Sequence, residues 1–296
     1  MKVRAFALVI LAGAVLNVRP ALAAEPPLSD GLFDRPNLVA WCIVPFDAKK
    51  RGPEERAAML ERLGLRKYAY DWRAEHLPHF EEELDALKRH GIELTAVWFP
   101  TTLDKDAKFL LDALSKHHIK TQLWVMGAGA PVRTPEEQQA RVKAEADRLR
   151  PIAEAAANAG CTVGLYNHGG WFGEPENQLA LIDALKLPNV GIVYNLHHGH
   201  EHLDRFPELL AKIKPRLLVL NINGMNRDGE RSGKKILVIG QGQEDLRLLR
   251  VIRESGWRGP VGILNHTDED AEARLAANLQ GLERLKAKLP AGSGKP

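Results

Sequence analysis

From residue 38 onward, short apolar runs alternate with longer amphipathic ones. The apolar runs cover 38–44, 67–70, 94–99, 122–126, 162–166, 191–194, 217–222 and 261–264. Gly, Pro, Asn or Asp follows most of them within a residue or so. That is the pattern of a buried strand closed by a turn. Between the runs, 53–63 carries Ala57, Met59, Leu60 and Leu63 on one side, and 77–89 carries Leu77, Phe80, Leu84 and Leu87 at helical spacing. Thr134-Pro135-Glu136-Glu137 reads as a capping box with Pro at the first helical position, and so opens a longer helix. Further helices are predicted over 174–185, 203–212, 244–255 and 270–288.

Strand and helix alternate about eight times, which predicts a parallel sheet with helices outside it. The number favours a closed (β/α)8 TIM barrel over an open doubly wound sheet. An open dinucleotide-binding sheet would also show a Gly-rich loop after its first strand, and Pro45-Phe46-Asp47 stands there instead. A single barrel domain is therefore expected over 37–289, with 290–296 a disordered tail. The segment 223–240 is predicted to form a polar loop or hairpin, with a short extra strand at 236–239 over the barrel mouth.

Residues 1–23 read as a signal peptide. Lys2 and Arg4 precede an apolar stretch over 5–16 that is too short to span a bilayer, and Ala21-Leu22-Ala23 gives a cleavage site. The plainer alternative is an uncleaved anchor. A linker follows over 24–36, and the mature protein is expected to be exported to the periplasm or secreted. The leader carries Lys2, Arg4 and Arg19 and no acid, so its removal takes the net charge from +3 to zero. A neutral chain with no basic run argues against nucleic acid as a partner. No later segment is apolar and long enough to span a membrane. The two cysteines, Cys42 and Cys161, are read as small residues buried in strands.

In a parallel barrel the chemistry sits at the C-terminal strand ends. Of 11 histidines, His168, His197, His198, His200 and His266 fall there. So do Asp71, Asn167, Asn195, Asn221, Asn223, Asn265 and, after the seventh strand, Gln241. Amides can donate and accept at once, which matches paired sugar hydroxyls. His90, His117 and His118 sit near helix C-termini, where a cation complements the dipole. Trp98, Trp124 and Trp171 are open between core packing and stacking on a sugar face, with Trp171 the preferred stacking candidate.

These segments resemble the xylose isomerase-like barrels, a family of sugar isomerases, epimerases and related lyases and endonucleases. Asn167-His168-Gly169-Gly170 resembles the family's Glu-Asn-His-Gly-Gly stretch, and Asn195-Leu196-His197-His198 its Asp-x-x-His. Asn221-Ile222-Asn223 stands where the family has His-x-x-Asp. Gly240-Gln241-Gly242 with Asp245 resembles its Gly-Glu-Gly-x-x-Asp, and Gly256-Trp257-Arg258-Gly259-Pro260 its entry to the last strand. The resemblance implies a divalent cation on two glutamates, an aspartate and a histidine. Here Tyr166, Asn195, Asn221 and Leu264 or Asn265 occupy those regions. Magnesium and manganese want carboxylate oxygens, so that site is expected to be lost. A zinc or copper site on His168, His198 and His266 stays open.

The expected activity is isomerisation, epimerisation or elimination on a neutral carbohydrate or polyol. His168 and His198 would move a proton next to a carbonyl. Asp71, Asn167, Trp171, Asn195, His197, His200, Asn221, Asn223, Gln241, Asn265 and His266 would contact the sugar. A non-catalytic carbohydrate-binding barrel is the alternative. Paired carboxylates for hydrolysis are not visible, and no GxSxG marks a serine nucleophile.

Overall fold

The computed structural model describes residues 31–290. The predicted signal peptide, most of the predicted linker and nearly all of the predicted tail lie outside the described residues. Eight parallel strands close into a barrel in sequence order, β1 pairing with both β2 and β8. They are β1 Leu38–Trp41, β2 Lys67–Tyr70, β3 Glu93–Phe99, β4 Gln122–Val125, β5 Thr162–Tyr166, β6 Val190–Asn195, β7 Leu217–Ile222 and β8 Val261–Leu264. The helices are α1 Pro53–Arg62, α2 Phe80–Arg89, α3 Lys105–Lys116, α4 Pro135–Asn158, α5 Gly170–Gly173, α6 Pro175–Leu185, α7 Phe206–Ile213, α8 Gly229–Ser232, α9 Asp245–Glu254 and α10 Ala271–Lys286. None is long and apolar enough to cross a membrane.

Strand residues alternate between two cores, because successive side chains leave a strand on opposite faces. One set, including Leu38, Tyr68, Val97, Leu123, Leu165, Ile192, Leu220 and Ile263, packs against the helices. The other, including Val39, Trp41, Ala69, Ala96, Trp124, Tyr166, Val193, Val219 and Leu264, fills the barrel interior. Helix starts are tied down locally. Asp104 accepts from the N–H groups of Asp106 and Ala107, and Asp270 from Glu272. Thr134 accepts from Glu137 as the capping box predicts, but the Glu137 carboxylate reaches the N–H of Arg133, one residue earlier than expected.

Several boundaries move for identifiable reasons. The first strand ends at Trp41 rather than running to 44. Cys42 adopts φ +58°, and Asp71 takes the N–H groups of Ile43 and Val44 that a ladder would use. Both cysteines flank strands instead of lying in them, and both are free. Pro78 leaves Ala74–His79 as a 3-10 segment, so α2 begins at Phe80 rather than Leu77. No extra strand forms at 236–239. Leu237 makes only an antiparallel bridge to Gly224, and the loop is shaped instead by Asp245. That carboxylate accepts from the N–H groups of Met225, Gly240 and Gly242. A side chain at Gly242 would come within 2.2 Å of the Met225 nitrogen, so only glycine fits there.

Gly262 on β8 meets the same constraint inside the barrel. A Cβ there would lie 1.7 Å from Asn221 Oδ1, and Asn221 is fully buried. Gly262→Ala is therefore expected to destabilise by ~1–3 kcal/mol through overpacking. In an Asn221→Ala background the same change should cost markedly less. Chemical denaturation of the four proteins of this cycle measures both, and additive costs would contradict the packing argument.

Candidate active site

The C-terminal ends of the strands surround a cavity of about 150 Å3. Its wall comprises Trp41, Cys42, Phe46, Asp71, Arg73, Trp98, Tyr166, His168, His197, His198 and His266. A second cavity of about 180 Å3 adjoins it, and His198 lines both.

The floor is aromatic. Trp41 lies 4.6 Å from Trp124, and Trp98 lies 5.1 Å from Tyr166 edge to face, ring centre to ring centre. The Tyr166 hydroxyl accepts from Trp41 Nε1 at 3.2 Å and from the Asn195 side-chain amide. With both acceptor positions taken, its own proton is free to donate elsewhere. Burial holds this phenol far above its ordinary pKa, so it stays neutral.

Asn195 continues the chain of contacts. Its Oδ1 accepts from the His197 N–H at 3.1 Å, which shapes the turn carrying His197 and His198. Asn167 mimics a strand partner: its Oδ1 accepts from the Asn195 N–H at 2.7 Å and its Nδ2 donates to the Asn195 carbonyl at 3.1 Å. Both amides are thus used within the protein, and these two residues position the site rather than offer it hydrogen bonds. Asn221 and Asn265 differ. Each is fully buried, and neither amide atom of either residue has a protein partner among the described residues. Asn223 donates to the carbonyls of Gly224 and Lys235 but leaves Oδ1 unpaired.

The histidines gather as a neutral cluster. Ring centres lie 4.4 Å apart for His197 and His198, 4.7 Å for His168 and His198, and 5.7 Å for His197 and His266. Burial, and then the other cations nearby, pull His197 down to about 3 and His198 to about 2. Burial lowers His168, His200 and His266 as well. Asp71 moves the other way. It is enclosed, Oδ1 accepts from the Ile43 and Val44 N–H groups at 3.1 Å, and Oδ2 has no hydrogen-bond partner among the described residues. Burial raises its carboxyl to about 7 despite those bonds.

Six residues expected in the site line neither cavity: Trp171, Asn195, Asn221, Asn223, Gln241 and Asn265. Gln241 is exposed and lines neither cavity. Trp171 is the second residue of the short α5, buried, with Nε1 on Gln138 at 2.6 Å and Arg141 over its ring. The indole and phenyl walls come instead from Trp41, Trp98 and Phe46, which lies 3.8 Å from the His266 ring. Strand parity could have found the first two: Trp41 follows inward Val39, and Trp98 follows inward Ala96. His200 lines only the second cavity. His202 lines it too, held between the Tyr194 hydroxyl and Glu174. His90 sits between Glu54 and Glu61, which raise its pKa, in keeping with a structural surface role.

The profile of the xylose isomerase-like TIM barrel family matches residues 61–287. The chain belongs to this family. No curated protein sequence matches it. Solved structures share its fold. 3-Keto-D-glucoside 4-epimerase from E. coli is 17% identical, with a TM-score of 0.65 over 85% of this chain and 99% of that one. The probable 3-DHS dehydratase of petrobactin synthesis from Bacillus anthracis is 15% identical, with a TM-score of 0.64 over 83% and 98%. D-psicose 3-epimerase, solved in the presence of D-fructose, is 14% identical, with a TM-score of 0.57 over 85% and 96%.

The divalent cation that the resemblance implies does not fit these residues. Tyr166 and Asn195 face inward where carboxylates would be needed, and their polar atoms are bonded to each other. Among the described residues no three His, Cys, Asp or Glu side chains form a ligand set. That includes the open trio of His168, His198 and His266: His266 stacks on Phe46 and neighbours His197.

Two outcomes follow from this network. Tyr166→Phe strands the Trp41 and Asn195 donors, and should cost ~1–3 kcal/mol of stability in denaturant titrations. A loss under a few tenths would contradict the bonding pattern. His198, depressed in the fold, is protonated only on unfolding at mildly acid pH. Its contribution to stability is therefore present above about pH 6.5 and is lost as pH falls toward the folded pKa. His198→Gln removes that loss. The variant should gain on the parent by ~1.4 kcal/mol per pH unit at most between pH 6.5 and 5, measured by thermal or urea unfolding.

Proposed function

We propose that the protein interconverts neutral sugars by moving a proton at the carbon next to a carbonyl. Membership of the family supports this reading, as do the epimerase and dehydratase names of its structural neighbours. The observation that carries it is the pairing across the mouth. Asp71 follows β2 and His198 follows β6, four strands round a closed barrel of eight and so opposite each other, in the wall of one cavity.

Their protonation states divide the work differently from a histidine pair. A neutral imidazole with a pKa near 2 is a poor base. It can still donate a hydrogen bond to the oxygen that gains charge, as a preorganised neutral donor. A carboxyl near 7 is half ionised at neutral pH, which is where a general base works best. Asp71 would take the proton from carbon, and the electron pair would pass into the carbonyl to form an enolate. His198, with His168 beside it, would hold the enolate oxygen. A proton would then shift from the neighbouring hydroxyl to the enolate oxygen, and the Asp71 carboxylic acid would return its proton to the former carbonyl carbon, which moves the carbonyl by one position. The indoles of Trp41 and Trp98 suit the apolar face of a sugar ring, and the imidazoles of His197 and His266 in the same wall suit its hydroxyls. Typical sites for drug-sized ligands are roughly 300–1,000 Å3, so this smaller cavity suits one sugar ring.

Keto- and aldo-sugars incubated in D2O with the pure protein should lose the carbon-bound proton to solvent, followed by NMR. Asp71→Asn should slow exchange by a factor of about 10²–10⁴, and His198→Ala by about 10²–10³. The rate should rise as pH passes through about 7, where Asp71 ionises. A chelator should leave it unchanged. Saturable sugar binding with no exchange would overturn the reading in favour of a binding protein.

A further inference from the structure

The second cavity is chemically unlike the first. Every side chain in its wall is polar or charged, and the remaining positions are glycine; no aliphatic, Phe, Tyr or Trp side chain contributes. It is also slightly larger, about 180 Å3 against about 150 Å3. The two are not separate sites on the surface, because His198 stands in the wall of both, and His168 in the first is flanked by Asn167 and Gly169 in the second.

We propose that the two cavities are subsites of one cleft, and that the substrate is a disaccharide or a glycoside with a hydroxyl-rich second unit. This rests on the sugar reading of the first cavity. The ring that reacts lies over Trp41 and Trp98, and the second unit lies beyond His198. Each cavity has the volume for one ring, and neither holds two. The wall of the second selects by chemistry. An apolar aglycone would find no apolar surface there. An anionic one would face Glu201 and Glu230, and the nearest cation, Lys235, is already paired with Glu230 at 2.6 Å. Hydroxyl groups suit it on both counts, since they donate to carboxylates and accept from imidazole N–H.

A second observation concerns a residue of this wall. His200 is 9% exposed, its Nδ1 is bonded to the His197 carbonyl at 3.2 Å, and its Nε2 has no partner among the described residues. A buried ring nitrogen without a partner is uncommon in a folded protein, and a ligand hydroxyl would satisfy it. Nδ1 meets a carbonyl, so it carries the proton and Nε2 is the acceptor. Gly169, Gly170 and Gly173 in the same wall keep backbone close to the space.

Isothermal titration with glucose, galactose, maltose, cellobiose, lactose and trehalose tests this on the full protein. At least one disaccharide should bind about tenfold more tightly than its constituent monosaccharides, ~1.4 kcal/mol. Two variants act on the second cavity by different routes. His200→Ala removes the unpaired acceptor, and Glu201→Trp fills space from an exposed position. Each should weaken that disaccharide severalfold while shifting monosaccharide affinity much less. Monosaccharides binding as tightly as every disaccharide would overturn the second subsite and leave the sugar reading standing. Equal weakening of both ligand types by both variants would do the same. Failure of all six sugars to bind would overturn both.

Discussion

The Tyr166 hydroxyl is the point on which the mouth of this barrel depends. It receives Trp41 from β1 and Asn195 from β6, and so joins three strands across the interior. Through Asn195 Oδ1 the same network fixes the turn that carries His197 and His198. A polar group this deep is tolerated because its partners are complete, and removing one would leave buried donors unsatisfied. A carboxylate at the same place would need a compensating cation. A phenol and amides need none. The floor is therefore neutral by construction, and the packing of Trp41, Trp98 and Trp124 over it follows from that neutrality.

Neutrality at the floor sets the electrostatics above it. Desolvation penalises whichever form is charged, so it lowers histidines and raises carboxyls. The same enclosure thus pulls His197 and His198 down and Asp71 up. The result is a site in which Arg73 is the fixed charge in the first cavity's wall, one carboxyl titrates near neutrality and the imidazoles stay neutral. Such a site can bind an uncharged polyol without a counter-ion, and it can move a proton.

Much of the fold is legible in the sequence because its signal is periodic. All eight strands coincide with apolar runs, and the glycine and asparagine positions after them reflect real turns. The boundaries that moved did so for tertiary reasons invisible along the chain: Cys42 at positive φ with Asp71 taking the next two N–H groups, and Asp245 gathering the loop before α9. The site is legible by residue type more than by role. Histidine and asparagine at strand ends do converge, yet Asn167 has used its amide on the Asn195 backbone and Asn195 its amide on Tyr166 and His197, while Asn221 and Asn265 have no protein partner among the described residues. Composition cannot distinguish these two cases. Trp171 faces away from the mouth because its segment turns into a helix directly after Gly169 and Gly170, whereas the inward indoles obey strand parity.

The departures from the family's cation ligands are also coordinated with one another. Tyr166, Asn195, Asn221 and the neighbourhood of Leu264 and Asn265 lie on four consecutive strands of the closed sheet or at their ends. Tyr166 and Asn195 bond to each other, and Asn221 occupies space that Gly262 leaves open. Restoring one carboxylate would place a charge among neutral partners rather than rebuild a metal site, since among the described residues no three potential ligands are gathered. The pocket is better understood as a self-consistent neutral alternative within the family's barrel, in which packing and amide bonds hold the geometry that a cation and its carboxylates would otherwise hold.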